Sequence, residues 1–206
     1  MEPFIRPYAP TDLDAVYDIC VRTAADGGDA RGTYSTDLLM GDLYAAPYVT
    51  LEPEHAHVLD DGTGRAVGYV LGTADTPTFV RRYRDEWIPR VAHRYPVPTR
   101  PPATPEEATV DSHHHPERMV VPALADHPAH LHIDLLPRWQ GQGHGRRLMA
   151  RFLAGLHAVG VPSVYLAMSA TNHGARRFYE RLGFTEAVVP DPGPLVYLTR
   201  PTTPPC

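Results

Sequence analysis

The stretch from Leu131 to Leu148, LHIDLLPRWQGQGHGRRL, decides how this sequence folds. It starts with the alternating apolar residues of a half-buried strand, breaks at Pro137 and continues as an arginine-rich segment with helical spacing. Between them, glycines at positions 141, 143 and 145 leave the backbone without side-chain cover. The pattern predicts a strand, an open turn and a helix, with a ligand lying against the turn.

An uncovered turn at a helix N-terminus is suited to an anion. The first N–H groups of a helix have no partner within the helix, and the helix dipole adds about half a positive charge there. The alternative is a tight turn that needs glycine for its dihedral angles and binds nothing. The chain contains no lysine, so P-loop nucleotide hydrolases and Schiff-base enzymes are excluded.

Length and composition indicate one soluble domain. The chain has 206 residues, 43% of them hydrophobic, and a net charge of −5 without an extended basic face, which disfavours a nucleic-acid binder. No apolar run is long enough to span a bilayer and no signal peptide is recognisable, so we expect a cytoplasmic protein without membrane contact. Cys20 and Cys206 are too few for a disulfide framework or a metal quartet.

Further elements surround the central stretch. Two apolar runs, 55–59 and 66–71, flank an AspAspGlyThrGlyArg turn and predict a β-hairpin. Residues 164–168 predict a strand, and Asn172 begins a helix that ends at Gly183. Between 76 and 128 we expect a partly irregular insertion rich in proline and histidine.

The glycine turn resembles a known family motif. Gln140, Gly143 and Gly145 match QxxGxG, the pyrophosphate loop of the GNAT acetyltransferases, and the order continues with AsnxxAxxPheTyrxxxGlyPhe over 172–184. The resemblance implies one α/β (α+β) domain over 1–206. Its expected core is a mixed, mostly antiparallel sheet of about seven strands flanked by helices and splayed between the strands at 131–136 and 164–168.

A closer resemblance covers most of the chain. ValLeuAspAspGlyThrGlyArgAlaValGlyTyrValLeuGlyThrAlaAsp at 58–75, TrpIlePro at 87–89 and HisIleAsp at 132–134 are similar to the acetyltransferase-like C-terminal region of animal O-GlcNAcases. That region has lost much of the glycine loop, whereas the loop is complete here. We therefore expect a free-standing prokaryotic relative that still holds the cofactor.

The resemblance implies acetyl-CoA as the cosubstrate and no metal. The last strand amides would bind the pantetheine arm and the thioester carbonyl, and the loop amides would bind the pyrophosphate. Asn172 either bonds the pantetheine chain or only caps its helix. The implied cofactor residues are Leu135, Leu136, Gln140, Gly141, Gln142, Gly143, His144, Gly145, Arg146, Arg147, Asn172, Ala175 and Phe178.

The resemblance also implies a route for acetyl transfer to an amine. Tyr179 occupies the general-acid position, although the spacing alone would fit a core aromatic residue. Asp134 is the first choice as general base, or else the partner of an arginine, and His132 is the second choice. No cysteine lies near the thioester, which favours direct attack in a ternary complex. The alternative is a non-catalytic module that binds acetyl-CoA or a protein partner.

Two other patterns concern the insertion. His113, His114 and His115 are expected in a solvated loop rather than a metal site. Phe79, Tyr83 and Trp87 recur every four residues, which favours a packed stripe, with Trp87 as a candidate acceptor contact. No motif specifies the acceptor amine or the oligomeric state.

Overall fold

The computed structural model describes residues 2–203, so Cys206 lies outside the described residues. Within 2–203, no helix has the length and apolar character needed to cross a membrane. The strands are β1 (Phe4–Pro7), β2 (His57–Asp60), β3 (Ala66–Thr73), β4 (Ala129–Leu135), β5 (Ser163–Ser169), β6 (Thr185–Ala187) and β7 (Leu195–Pro201). The helices are α1 (Leu13–Val21), α2 (Leu38–Tyr44), α3 (Ala46–Leu51), α4 (Thr76–Arg82), α5 (Ile88–Val91), α6 (Pro105–His114), α7 (His144–Ala158) and α8 (His173–Arg181).

The strands form one seven-stranded sheet in the order β1-β2-β3-β4-β5-β7-β6. Every neighbouring pair is antiparallel except β4 and β5, which run parallel. The predicted hairpin is the β2–β3 pair, and the strand, turn and helix predicted around Pro137 are β4, the glycine loop and α7. The predicted mixed, mostly antiparallel sheet is confirmed.

The two parallel strands separate soon after they meet. β4 and β5 pair only at Ala129 with Val164 and at His130 with Tyr165. The C-terminal half of β4 therefore faces a gap in the sheet, while its other edge stays paired with β3 as far as Leu135. This is the predicted splay, and it leaves main-chain groups of β4 without sheet partners.

Helices cover both faces of the sheet. On one face, Phe152 of α7 packs so closely on Gly72 of β3 that a side chain at Gly72 would overlap its ring. Leu131 lies opposite Gly72 in the β3–β4 pair, so the odd-numbered residues of β4 face α7. The even-numbered residues, including His132 and Asp134, therefore face α1, α2 and α3.

The insertion is partly helical and partly irregular. α4 continues through a π-helical turn (Tyr83–Trp87) into α5, and α6 follows a proline-rich segment. The turn is anchored on α2, where the buried Asp42 carboxylate accepts hydrogen bonds from Tyr95 at 2.7 Å and Arg94 at 2.9 Å. The insertion is thus fastened to the core. It covers the N-terminal end of β4, where that strand pairs with β5.

Candidate functional site

The turn between β4 and α7 has a backbone that needs glycine. Gly141 and Gly143 have left-handed φ angles of 71° and 81°, which side-chain-bearing residues rarely adopt. A Cβ at either position would contact nothing within 4 Å. Glycine is therefore required at both positions by the backbone dihedral angles and not by crowding, and the space above the turn is open.

The amides of this turn have no acceptor in the described part of the chain. From Gly141 to Arg146, no backbone N–H donates to a backbone or side-chain oxygen of residues 2–203, and the first bonded amide is that of Arg147, to Gly143 at 3.2 Å. Gln140 braces the turn by donating from Nε2 to the Leu135 carbonyl at 2.8 Å. The turn is thus a preformed group of free donors.

The charge around the turn favours an anion. Arg146 and Arg147 are exposed in the first turn of α7, and the Arg138 guanidinium lies 5.2 Å from the centre of the Trp139 ring. The helix dipole adds positive charge at the same point. His144 is buried, and burial lowers its pKa, so its ring stays neutral beneath the turn.

At position 145, glycine is required by close packing and not by its backbone dihedral angles. A Cβ there would lie 3.1 Å from the Phe178 ring of α8 and 3.6 Å from Leu135. Asn172 begins α8 by accepting the Ala175 N–H at Oδ1, at 2.9 Å. The helix-cap alternative for Asn172 is therefore present in the structure, and the side-chain NH₂ of Asn172 remains available for a ligand.

The backbone N–H groups of Leu135 and Leu136 point to opposite edges of the strand. The Leu136 N–H donates to the Val67 carbonyl of β3 at 3.0 Å, so it is not the free donor that we expected. Directions alternate along an antiparallel strand, so the main-chain groups of Leu135 and Ile133 point to the other edge, into the splay. The open donor pair is Ile133 and Leu135.

Tyr179 lies in α8 beside the splay, and its side chain is only 9% exposed. Its ring packs edge-on against Phe178 and Phe184. Burial raises the pKa of Tyr179, and the negative charge of Asp134 raises it further. The hydroxyl makes no hydrogen bond within residues 2–203 and keeps its proton at neutral pH.

Asp134 pairs with a phenol rather than an arginine. Tyr69, directly opposite on β3, donates its hydroxyl to Oδ2 of Asp134 at 2.7 Å. Burial raises the pKa of Asp134, and hydrogen bonds from Tyr69 and Thr23 partly oppose the rise. The salt-bridge alternative for Asp134 is wrong.

His132 ends a chain of hydrogen bonds that begins in the insertion. Thr76 donates its hydroxyl to the Pro128 carbonyl at 2.8 Å and lies 2.7 Å from Nδ1 of His130. Nε2 of His130 lies 2.7 Å from the Tyr48 hydroxyl, which lies 3.1 Å from Nε2 of His132.

Only one proton arrangement satisfies all four contacts of this chain. A carbonyl cannot donate, so the Thr76 proton goes to Pro128, and His130 must donate from Nδ1 to Thr76. The Tyr48 hydroxyl then donates to Nε2 of His130 and accepts from Nε2 of His132. His132 therefore carries its proton on Nε2 and a free lone pair on Nδ1.

Both imidazoles are neutral at physiological pH. Burial, followed by the positive charge of Arg118, lowers the pKa of His132 to about 4. Burial, followed by His132 and Arg118, lowers the pKa of His130 well below its usual value. The hydrogen bonds therefore hold His132 as one neutral tautomer at physiological pH.

A cavity of roughly 190 Å³ adjoins these hydrogen-bonded residues, where β4 and β5 begin to separate. His130, Leu131 and His132 of β4 form its floor, whereas Asp134 is not in its lining. Its walls come from α2, α3, the insertion, β5 and β7, and include five tyrosines. The wall residues include Tyr44, Tyr48, Tyr83, Tyr165, Tyr197, Arg118 and Met119.

Two expectations about the insertion are wrong. Trp87 is 4% exposed and donates its indole N–H to the Asp42 carbonyl at 2.8 Å, so it belongs to the packed stripe and does not reach the cavity. His113 lies in α6, buried, with Nδ1 2.7 Å from the Tyr83 hydroxyl, rather than in a solvated loop. Helical packing of the insertion against α2 draws both side chains inward. Within 2–203, no cluster of three or more His, Cys, Asp or Glu could hold a metal ion.

Sequence reasoning missed Tyr48, Thr76 and Arg118. Tyr48 lies 82 residues before His130, and no local spacing links the two. Arg118 sits in a short turn of the insertion whose fold no pattern predicted. The contacts of Tyr48 with His130 and His132 join distant parts of the sequence, so they become visible only in the folded structure.

An open amide turn after a splayed strand, leading into a helix, defines a class of α/β proteins with an anion site at a helix N-terminus. Comparison with family models identifies the particular family: residues 28–184 match the Acetyltransferase (GNAT) family. The chain belongs to that family.

Similar proteins include curated O-GlcNAcases and solved acetyltransferases. The chain is 29% identical to Protein O-GlcNAcase of Rattus norvegicus and of Mus musculus over 184 residues, which is 88% of this chain and 20% of theirs. It thus spans about a fifth of the length of those relatives. The crystal structure of SsHAT superposes with a TM-score of 0.96 at 57% identity, covering 99% of this chain and 100% of that one. YncA of Salmonella typhimurium, a putative acetyltransferase solved with acetyl-CoA, shares the fold at a TM-score of 0.55 and 17% identity, over 98% of this chain and 95% of that one.

Proposed function

We propose that this protein transfers an acetyl group from acetyl-CoA to an amine by direct attack in a ternary complex. The observation that carries the proposal is the unpartnered run of amides from Gly141 to Arg146 at the N-terminus of α7. The turn follows the end of β4 that has separated from β5, and His130, Leu131 and His132 of the same strand line the cavity, so β4 links the anion site to the acceptor site.

The residues present fit acetyl-CoA. The amides of 141–146 would bind the diphosphate, with Arg146 and Arg147 next to them for the nucleotide part. The open N–H groups of Ile133 and Leu135 in the splay would hold the pantetheine arm, and the N–H of Leu135 would stabilise the negative charge that develops on the thioester oxygen. Bound acetyl-CoA supplies the activated acetyl group.

We assign the general base to His132 and a supporting role to Asp134. His132 lines the acceptor cavity and presents the unprotonated Nδ1, whereas Asp134 lies outside the lining with one oxygen held by Tyr69. A protonated amine entering the cavity would first give one proton to Nδ1 of His132. The freed lone pair would then attack the thioester carbon, and a second amine proton would leave with the departing thiol. This reverses the order that the sequence suggested.

Tyr179 would act on the leaving sulfur. Its hydroxyl has no partner in the described chain and stays protonated, so it can donate a hydrogen bond to the departing thiolate. The raised pKa makes complete proton loss from Tyr179 costly. We therefore expect Tyr179 to stabilise the thiolate by a hydrogen bond, while the proton of the thiol product comes from the attacking amine.

Two measurements test the proposal. Isothermal titration with acetyl-CoA should show one site per chain, and thiol release should then depend on an added amine. Binding without release on any amine of a broad panel would favour the non-catalytic module. Absence of binding would reject both functions. A double variant, Gly141→Asp and Gly143→Asp, should abolish binding because it puts negative charge where the diphosphate would lie.

A further inference from the structure

The acceptor cavity carries one cation and no acid. Among the described residues that line it, Arg118 is the charged side chain, and none is Asp or Glu. The histidines of the floor are neutral. An acceptor that brings a lone ammonium group would therefore meet a positive field with no carboxylate to balance it.

Arg118 is held at the cavity by a fixed turn. Its Nε donates to the Ser112 carbonyl at 3.1 Å, and its guanidinium carbon lies 5.8 Å from the centre of the Tyr44 ring. The next residue, Met119, accepts the Tyr165 hydroxyl at its carbonyl. Tyr44 in turn lies edge-on to His132 with ring centres 5.8 Å apart, so Arg118, Tyr44 and His132 follow one another along the cavity wall.

The guanidinium of Arg118 has no carboxylate partner in residues 2–203. The two nearest acids in sequence are already engaged: Glu117 pairs with Arg84, and Asp111 lies beside His115 at 3.6 Å. The terminal nitrogens of Arg118 therefore remain free while their carbon is positioned, which is the arrangement that binds a carboxylate through two parallel hydrogen bonds.

We propose that the acceptor is a small amine that also carries a carboxylate, and that Arg118 binds this carboxylate while His132 faces the amine. The inference rests on the proposed function. A cavity of roughly 190 Å³ is small for a ligand pocket, which favours an acceptor of amino-acid size. Its tyrosine walls favour an apolar or aromatic body between the two polar ends. Pairing with the carboxylate would also remove the positive field that Arg118 exerts on His132.

The test uses matched probes that differ only in the carboxylate. Against the complex with coenzyme A, N-acetyl-L-phenylalanine should bind about tenfold or more tightly than N-phenethylacetamide, as a charge-assisted pair provides. N-acetylglycine should likewise exceed N-methylacetamide. In Arg118→Gln this preference should fall to about twofold or less, whereas Arg90→Gln, an exposed arginine of the insertion away from the cavity, should keep it.

Turnover gives a second readout. With L-phenylalanine and phenethylamine as acceptors, Arg118→Gln should raise KM for the amino acid about tenfold and leave kcat nearly unchanged. Equal binding of the paired probes, binding of no probe, or a preference for a lysine-rich peptide would overturn the inference. Acetyl-CoA binding, and thiol release with amines that lack a carboxylate, do not depend on Arg118, so the proposed function would stand or fall separately.

Discussion

At the scale of single residues, the site depends on groups whose protonation is set by their neighbours. His132 shows this best, because its tautomer follows from a carbonyl four hydrogen bonds away. The sequence identified His132 and Asp134 as one face of a strand, which is correct. It ranked Asp134 ahead of His132 without knowing their partners, because Tyr48 and Tyr69 come from distant parts of the chain.

Replacing Tyr48 by Phe removes the central hydroxyl of that chain. We expect kcat to fall about tenfold with little change in the Kd of acetyl-CoA, since the variant frees Nε2 of His132 but leaves the glycine loop intact. Nitrogen-15 NMR of the histidine rings should show His132 on the Nε2–H tautomer in the wild type and a mixture in the variant. An Nδ1–H tautomer in the wild type would contradict the assignment.

Replacing Tyr179 by Phe tests the role of the leaving-group partner. We expect kcat to fall by about 10²-fold while the Kd of acetyl-CoA changes less than about twofold, because the ring packing is kept and only the hydroxyl is lost. Tyr34→Phe, a tyrosine outside the site, serves as the control. Unchanged turnover in Tyr179→Phe would remove this residue from the mechanism.

At the scale of elements, β4, the glycine loop and α7 could be predicted because local rules fix them. Proline ends the strand, glycine supplies left-handed backbone, and the apolar spacing of α7 marks its buried side. Leu136 was misjudged because its pairing with Val67 depends on where β3 begins. In the insertion, the position of Trp87 was misjudged because it is fixed by burial against α2, as its bond to the Asp42 carbonyl shows.

Two glycine-to-alanine variants in or beside α7 should have opposite effects. Gly143→Ala places a side chain at a φ of 81°, so we expect a loss of about 1–2 kcal/mol in the free energy of unfolding and an acetyl-CoA Kd at least about tenfold weaker. Gly155→Ala, exposed in the middle of α7, should gain about 0.5–1 kcal/mol and bind normally. Thermal unfolding and titration calorimetry measure both. Tight binding by Gly143→Ala would show that the loop geometry is not needed.

At the scale of the whole molecule, stability is tied to buried neutral histidines. Burial lowers the pKa of His57, His113 and His132 to about 4 each, and that of His130 well below its usual value. In the unfolded chain these groups would titrate near 6.5. Their stabilising contribution is therefore complete above about pH 6.5 and is lost as the pH falls toward 4.

We accordingly expect the free energy of unfolding to drop steeply between pH 6.5 and 4. Each of these histidines adds a slope of up to about 1.4 kcal/mol per pH unit, because the unfolded chain takes up a proton that the folded chain refuses. Denaturant titrations at several pH values measure the slope. His113→Phe should make it shallower by about one proton, and the exposed His173→Gln should leave it unchanged. A flat profile down to pH 5 would contradict these burial assignments.

The central claim is that the backbone amides between Gly141 and Arg146 hold the diphosphate of acetyl-CoA. A crystal structure of the complex measures this directly. The account predicts diphosphate oxygens about 3 Å from several of these nitrogens, with the pantetheine arm between β4 and β5. Acetyl-CoA bound elsewhere, or a diphosphate held only by arginine side chains with the amides of the loop unengaged, would contradict it.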